Sequence, residues 1–267
     1  MRLKAYAKIN LTLDILDKRI DGYHNLNSVM QQIDLYDELT FKENKDIVVQ
    51  SEFKDDIILK TIYKLGESLK LEDGIFVSVK KNIPVAAGFG SASASAAATL
   101  TALNELWDLK LGAKDLINRG AKIGADVPFC LTGGCCFISG IGETIEKMQG
   151  VEMDIVIVKP EYSISTKDAY GMLDYKKYEK TFSSIKLRDK KTKKEIAENL
   201  HNDFINIQKN EVKEIIEDLK NHGALNASIT GKGPGVFGIF ENKNEASKAF
   251  KQLKDKYSFV YLSKTIK

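Results

Sequence analysis

Several features that would assign this chain to a familiar special class are missing. No stretch of its 267 residues approaches the roughly 18 consecutive apolar residues of a membrane span. The first segment, MRLKAYAKINLTLDILDKR, is broken by Arg2, Lys4, Lys8 and Asp14, so the uninterrupted apolar core of a signal peptide is not expected there. Cysteine is scarce: Cys130, Cys135 and Cys136 make an odd count, which argues against a disulfide framework. Their C-x4-C-C spacing does not match a zinc pattern, and only three histidines are present as co-ligands, so buried or semi-buried free thiols are expected. A cytoplasmic address follows by default. Excess charge is also lacking. Forty Lys+Arg against 37 Asp+Glu leave a formal charge of +3, too little for a global field toward nucleic acid or an anionic membrane. With 43% apolar and 29% charged residues, global disorder is excluded.

What is present is a mixture of strand and helix patterns. Residues 3–16 alternate apolar and polar side chains, as a half-buried strand does, and a second alternating run spans Val29–Leu39 beyond a loop at residues 17–24. Ile58, Ile62, Leu65 and Leu69 are spaced for an amphipathic helix over residues 57–71, and Gly74–Lys80 alternates again. A long helix is expected from about Ser91, another over Ala113–Ile123, and strand–turn–strand material over residues 130–143. The segment MDIVIVKP reads as a buried strand stopped by Pro160, which cannot donate to a ladder. Helical spacing recurs at Glu211–Lys220 and Lys243–Lys256, with strand–glycine turn–strand over residues 224–240 and a last strand in SFVYLSK. The change of pattern near residue 150 predicts a two-lobed α+β protein divided into residues 1–150 and 151–267. Residues 176–194 carry nine basic side chains, Lys176, Lys177 and Arg188 among them, without aromatic interleaving. A solvated face is the main reading, with a polyphosphate-attracting rim as its competitor and nucleic-acid binding as a minor one.

The segment PVAAGFGSASASAAATL carries the most chemistry. Pro84, Gly88 and Gly90 punctuate a loop that opens into an alanine-rich helix, with Ser91, Ser93 and Ser95 at its start. Serine is a good N-cap, and the first N–H groups of a helix lack intrahelical partners. Small side chains let an anion approach those donors, which the helix dipole favours. Phosphate recognition and plain capping with close packing of the alanine face are equally open on composition. The loop is neither a Walker sequence nor G-x-G-x-x-G.

Lys8 and Asn10 lie two apart in the first strand and therefore share a face. A core salt bridge or snorkelling is the simpler account of Lys8. Asp126 stands before Pro128 in apolar surroundings, where a turn or cap role is the simpler account. Spacing does not show whether these side chains act together.

AKINLTL, KRIDGYHNL, PVAAGFGSASASAAATLTALN, GADVPFCLTGG, GIGE, STKDAY and TGKGPGVFGIF recur in an order that resembles the GHMP kinases over roughly residues 3–240. DGYH and GADVPF direct the resemblance to the branch acting on 4-diphosphocytidyl-2-C-methyl-D-erythritol (CDP-methylerythritol). It implies an N-terminal lobe like ribosomal protein S5 domain 2, a C-terminal ferredoxin-like lobe, and ATP with Mg²⁺ as cofactors. It also implies phosphorylation of the substrate 2-hydroxyl in the non-mevalonate route to isoprenoid precursors. Membrane and nucleic-acid partners are not implied, and oligomeric state stays open. Carried over by motif, Lys8 and Asp126 are the catalytic pair: Asp126 receives or orients the hydroxyl proton and Lys8 offsets developing charge. A carboxylate is a weak base, which is tolerable where positioning and charge stabilisation dominate phosphoryl transfer. Asn10, Tyr23, His24 and Thr166 match substrate-side positions, with Tyr175 or Tyr178 as a second face for the cytosine. Pro84, Val85, Ala86, Ala87, Gly88, Phe89, Gly90, Ser91, Ala92, Ser93 and Ala94 match the ATP loop, with Gly231 and Gly233 as further lining.

The chain departs from the usual G-L-G-G-G-S-S-D-A-A at Ser91, Ala92 and Ser95, and from S-G-S-G-P-T at Lys232 and Gly235. Two permissive backbone positions and one carboxylate are lost. Lys232 either adds positive charge facing phosphates or blocks a glycine-lined surface. Weak turnover, a binding-only relative, and a GHMP kinase for another small hydroxylated substrate are the alternatives these changes leave.

Overall fold

The computed structural model describes residues 1–51, 57–69, 74–174 and 180–267. In chain order the elements are β1 (Arg2–Lys18), β2 (His24–Asn44), β3 (Ile47–Gln50), α1 (Ile57–Leu69), β4 (Gly74–Lys80), α2 (Ser91–Leu106), α3 (Ala113–Ala121) and α4 (Val127–Thr132). They continue as β5 (Cys135–Gly140), β6 (Thr144–Met148), β7 (Asp154–Lys159), α5 (Thr166–Met172), α6 (Ser183–Leu187), α7 (Lys193–Glu198) and β8 (His201–Asn202). A 3-10 helix at Asp203–Ile207 precedes α8 (Asn210–Asn221), β9 (Asn226–Ile229), β10 (Val236–Phe240), α9 (Lys243–Leu253) and β11 (Phe259–Lys264). The chain forms two compact units that interleave in sequence. The first comprises Met1–Ala7, Leu35–Ile83 and Gly90–Gly133; the second comprises Lys8–Asp34, Pro84–Phe89 and Gly134–Lys267.

In the first unit β4 pairs antiparallel with β2, from Glu38↔Lys80 to Asn44↔Gly74, and parallel with β3. Alternation puts Leu39, Phe41, Ile75 and Val77 on the buried face. Helix α1 adds Ile58, Ile62 and Leu65, as its spacing predicts. Helix α2 buries Ala94, Ala96, Ala97 and Ala98 with Leu100 and Leu103 in the same core. Its alanine face is thus a close-packed one. Helix α4 corrects one expectation, because Cys130 closes a helical turn rather than opening a strand. Pro128 sits in the first turn of α4, where a missing N–H costs nothing.

In the second unit β5 pairs antiparallel with β2 from Leu26↔Gly140 to Gln31↔Cys135, and with β6 on its other side. Thr12 and Leu13 of β1 pair with β8. A separate four-stranded antiparallel sheet runs β11-β7-β10-β9. Ile155–Val158 of β7 are fully buried, in accord with the unbroken apolar run in the sequence. Ile215 and Leu219 of α8 and Ala246, Ala249 and Leu253 of α9 are buried in packing with this sheet. Cys135 and Cys136 are buried and Cys130 half-buried, and none of the three forms a disulfide.

Candidate functional site

The start of α2 lies in the first unit. Gly90 is its N-cap at φ +77, a left-handed conformation that suits glycine. The expected serine cap is therefore absent. Ser91 is the first helical residue, and its hydroxyl donates to Asp37 Oδ2 at 2.9 Å while also contacting the Lys81 ammonium. Asp37 is fully buried; its Oδ1 accepts the backbone N–H groups of Asn82 (2.7 Å) and Ile83 (2.8 Å), and its Oδ2 pairs with Lys81. One carboxylate thus fixes β2, the segment entering the glycine loop and the first turn of α2. Ala92 beside it is exposed and small. Ser95, where the family motif has aspartate, holds a buried hydroxyl with no hydrogen-bond partner among the described residues. Asp126 occupies the N-cap position of α4 and is half-buried. Its carbonyl accepts Cys130 N–H at 3.1 Å, yet its carboxylate does not cap that helix.

Lys8 belongs to the second unit. It is 3% exposed, and its Nζ donates to Asn10 Oδ1 at 2.6 Å, as their shared strand face requires. Asn10 Oδ1 also accepts Gly231 N–H (2.8 Å), and Nδ2 donates to Ser28 Oγ (2.8 Å). The Asn10 backbone N–H reaches Thr230 Oγ1 (3.1 Å), whose hydroxyl donates to the Gly88 carbonyl (3.2 Å). Lys8 N–H donates to Phe89 O and Gly235 N–H to Ala87 O, each at 3.0 Å. The Pro84–Phe89 half of the glycine loop is thereby interlocked with the turn at residues 230–235. Gly88 has φ +87, and a Cβ there would overlap the Thr230 carbonyl, so glycine is required twice over. Sequence reading brought Lys8 and Asn10 together but missed Ser28 and Thr230, which are distant in the chain.

Of the residues matched to substrate-side positions, Tyr23 is exposed, while the His24 ring stacks on Tyr170 at 5.0 Å between centroids. Tyr170 meets Phe204 edge-on at 4.9 Å. Burial, with the Lys18 ammonium, holds the His24 pKa below its ordinary value, against a smaller opposing effect of Asp17. Thr166 is the first, exposed residue of α5, which Ser165 caps through Asp168 N–H at 3.0 Å. Tyr175, Tyr178, Lys176 and Lys177 lie outside the described residues. An aromatic that sequence reading missed is Phe182, exposed and held at φ +51. Positive φ at a bulky residue often accompanies function, but nothing in the sequence signals it there. From the basic run, Lys186, Arg188, Lys191 and Lys194 are exposed, and Arg188 pairs with Glu146, as a solvated face would. Among the described residues no group of three or more His, Cys, Asp or Glu side chains stands ready for a metal, and no helix is long and apolar enough to cross a membrane.

Two family models match: GHMP kinases N terminal domain over residues 56–134 and GHMP kinases C terminal over residues 181–258. A 4-diphosphocytidyl-2-C-methyl-D-erythritol kinase from Caldanaerobacter subterraneus subsp. tengcongensis is 40% identical over 279 residues, covering all of this chain and 97% of that protein. This chain belongs to the GHMP kinase family. The identically named Clostridium tetani protein is 38% identical over the full length of both chains. Among solved structures, a 4-(cytidine 5'-diphospho)-2C-methyl-D-erythritol kinase superposes with a TM-score of 0.82 at 23% identity, covering 99% of each chain. The Methanococcus jannaschii mevalonate kinase gives 0.78 at 16% identity, covering all of this chain and 98% of that one. The two-lobed α+β fold implied by the motifs is the fold of this GHMP kinase, and ATP is the phosphoryl donor of such a kinase.

Proposed function

We propose that this GHMP kinase transfers the γ-phosphoryl group of ATP to the 2-hydroxyl of CDP-methylerythritol, in the non-mevalonate route to isoprenoid precursors. The carrying observation is the likeness to the named kinases along the whole chain, at about 40% identity. The hydrogen-bonded set of Lys8, Asn10, Thr230 and Gly231 supports it. We assign Asp126 to the acceptor proton, Lys8 to the charge developing on the transferred group, and Asn10 to fixing Lys8. Loose phosphoryl transfer needs positioning and charge stabilisation more than a strong base. Residues 84–94 are assigned to ATP. Gly88 and Gly90 bring the backbone close, and the first N–H groups of α2 offer donors for phosphate. Tyr23, His24 and Thr166 are assigned to the substrate. Residues 1–150 and 151–267 are read as the N- and C-terminal lobes, and the address as cytoplasmic.

Mg²⁺ is part of this reading. The donor set lacks an all-protein cage among the described residues, and Ser95 replaces a carboxylate. This suits an ion carried chiefly by phosphates and water, as Mg²⁺ commonly is in kinases. When bound, it neutralises charge on the β- and γ-phosphates. The test is ADP release from ATP and Mg²⁺ with CDP-methylerythritol, beside Asp126→Asn. Turnover that needs this acceptor and collapses in the variant is expected. Acceptor binding without turnover would leave a binding-only relative; absence of both would reject the substrate.

A further inference from the structure

Lys232 stands on a turn whose geometry depends on its neighbours. Gly231 has φ +54 and Gly233 φ +74, and the Gln208 amide donates to the Lys232 carbonyl at 2.9 Å. The backbone of Lys232 is therefore held on both sides. A Cβ at Gly231 would stand 3.3 Å from Lys8 Nζ, so this turn packs directly against the Lys8 ammonium. The same turn is interlocked with Pro84–Phe89 through Thr230 and Gly235.

The Lys232 side chain is half-buried, and its ammonium makes no hydrogen bond to a described residue. Burial lowers its pKa from the ordinary lysine value; Asp168 opposes that fall and the Lys8 ammonium adds to it. Asp168, on α5, is exposed and accepts the Ser165 hydroxyl at 2.5 Å. A partly desolvated ammonium is unfavourable until an anion joins it, and a second cation nearby adds to that cost. A lysine serves a phosphate well as a point charge.

We propose that Lys232 is a second cation of the phosphoryl-transfer site, holding a phosphoryl oxygen of ATP together with Lys8. The proposal rests on the kinase reading and deepens it. Of the two roles the sequence left for Lys232, added charge facing the phosphates is the one this arrangement favours over obstruction.

The test compares Lys232→Met, Lys232→Ser and Lys232→Arg with the wild type by steady-state kinetics and by calorimetric titration with Mg·ATP in the absence of acceptor. Lys232→Met and Lys232→Ser are expected to lower kcat/KM for ATP about tenfold to a hundredfold, with KM for the acceptor unchanged and Arg restoring most of the loss. Wild-type activity should fall as pH rises through the lowered Lys232 pKa, and Arg should move that fall to higher pH. Among the described residues, Lys8 and Asp168 are the charged groups that act on Lys232, and they are the same in every variant. Without nucleotide, Lys232→Met should melt no lower than wild type, while gaining less Tm from Mg·ATP. A merely structural lysine would give the reverse. Wild-type kinetics and ATP affinity in Lys232→Met overturn the proposal. If the wild type shows no turnover, the kinase reading fails separately. The titration then decides Lys232: weaker nucleotide binding by Lys232→Met supports it, and equal or absent binding overturns it.

Discussion

Replacing Asn10 with leucine probes a heavily hydrogen-bonded side chain of the second unit. Asn10 is 1% exposed, and its Oδ1 accepts both the Lys8 ammonium and the Gly231 N–H. Leucine has nearly the same shape but no acceptor. The buried Gly231 N–H then loses its partner, at about 1–3 kcal/mol, and Lys8 loses a charged hydrogen bond of about 1.5–3 kcal/mol. Added apolar burial returns about 1 kcal/mol. The net expectation is a destabilisation of about 2–5 kcal/mol, a large part of a total that is typically about 5–15. Aspartate at the same position keeps the acceptor for both donors and sets a negative charge against Lys8. It loses only the donation to Ser28, whose hydroxyl still reaches the Thr12 carbonyl at 2.6 Å. Its cost should be about 1 kcal/mol. Urea unfolding followed by circular dichroism measures both, and turnover in the folded variants should follow the same order. A leucine variant within about 0.5 kcal/mol of wild type, or one more stable than the aspartate variant, would refute the reasoning.

Three further outcomes follow from other sites. Asp37→Asn puts an amide donor where the carboxylate now accepts only donors, from Asn82, Ile83, Ser91 and Lys81. A loss of about 3 kcal/mol and a raised KM for ATP are expected, and urea unfolding with kinetics at varied ATP checks both. Burial pushes the Cys135 thiol up to about 12 and, against the pull of Lys147, that of Cys136 to about 11. A chromogenic thiol reagent at pH 8 should therefore modify Cys130 first in the native protein, and mass mapping that finds Cys135 or Cys136 first would contradict this. His24 has a folded-state pKa below the ordinary 6.5, so between those two values the unfolded chain binds more protons. Its contribution is present above pH 6.5 and declines as pH falls below it, and His24→Gln should flatten that part of the stability profile.

How much of this was legible in the chain depended on distance along it. The period of two placed Lys8 and Asn10 on one face, and glycines at 88 and 90 marked backbone that does adopt positive φ. Those are local rules. Asp37 was invisible as the anchor of the glycine loop because it meets Asn82, Ile83 and Ser91 from 45 to 54 residues away. Thr230 meets Asn10 across 220 residues, and only strand packing makes that contact. Serine at the head of α2 suggested a cap, but the left-handed Gly90 took the position and released Ser91 to Asp37. The helix at α4 was masked by Cys130 and by the glycines and cysteines at 133–136 that follow it, although Pro128 in its first turn was a usable start signal. Phe182 left no mark, since its strained backbone is a property of the folded chain alone.

The rewritten motifs make physical sense one unit at a time. In the first unit, Ser91 takes a glycine position but not a left-handed one: it is the first helical residue, where a Cβ is unstrained, and its hydroxyl joins the Asp37–Lys81 pair. The positive φ values of the loop remain with Gly88 and Gly90, apart from Ala86 at φ +53. Ser95 is different, because its hydroxyl gains no partner among the described residues and supplies no charge in place of the motif's aspartate. In the second unit, Lys232 falls between Gly231 and Gly233, so the two strained positions of that turn keep their glycines as well. Replacements thus sit where side chains are tolerated, and the glycines remain where they are not. The replacements therefore leave the backbone of both glycine turns as it is, with one carboxylate gone from the start of α2 and one ammonium added in the turn at residues 230–235.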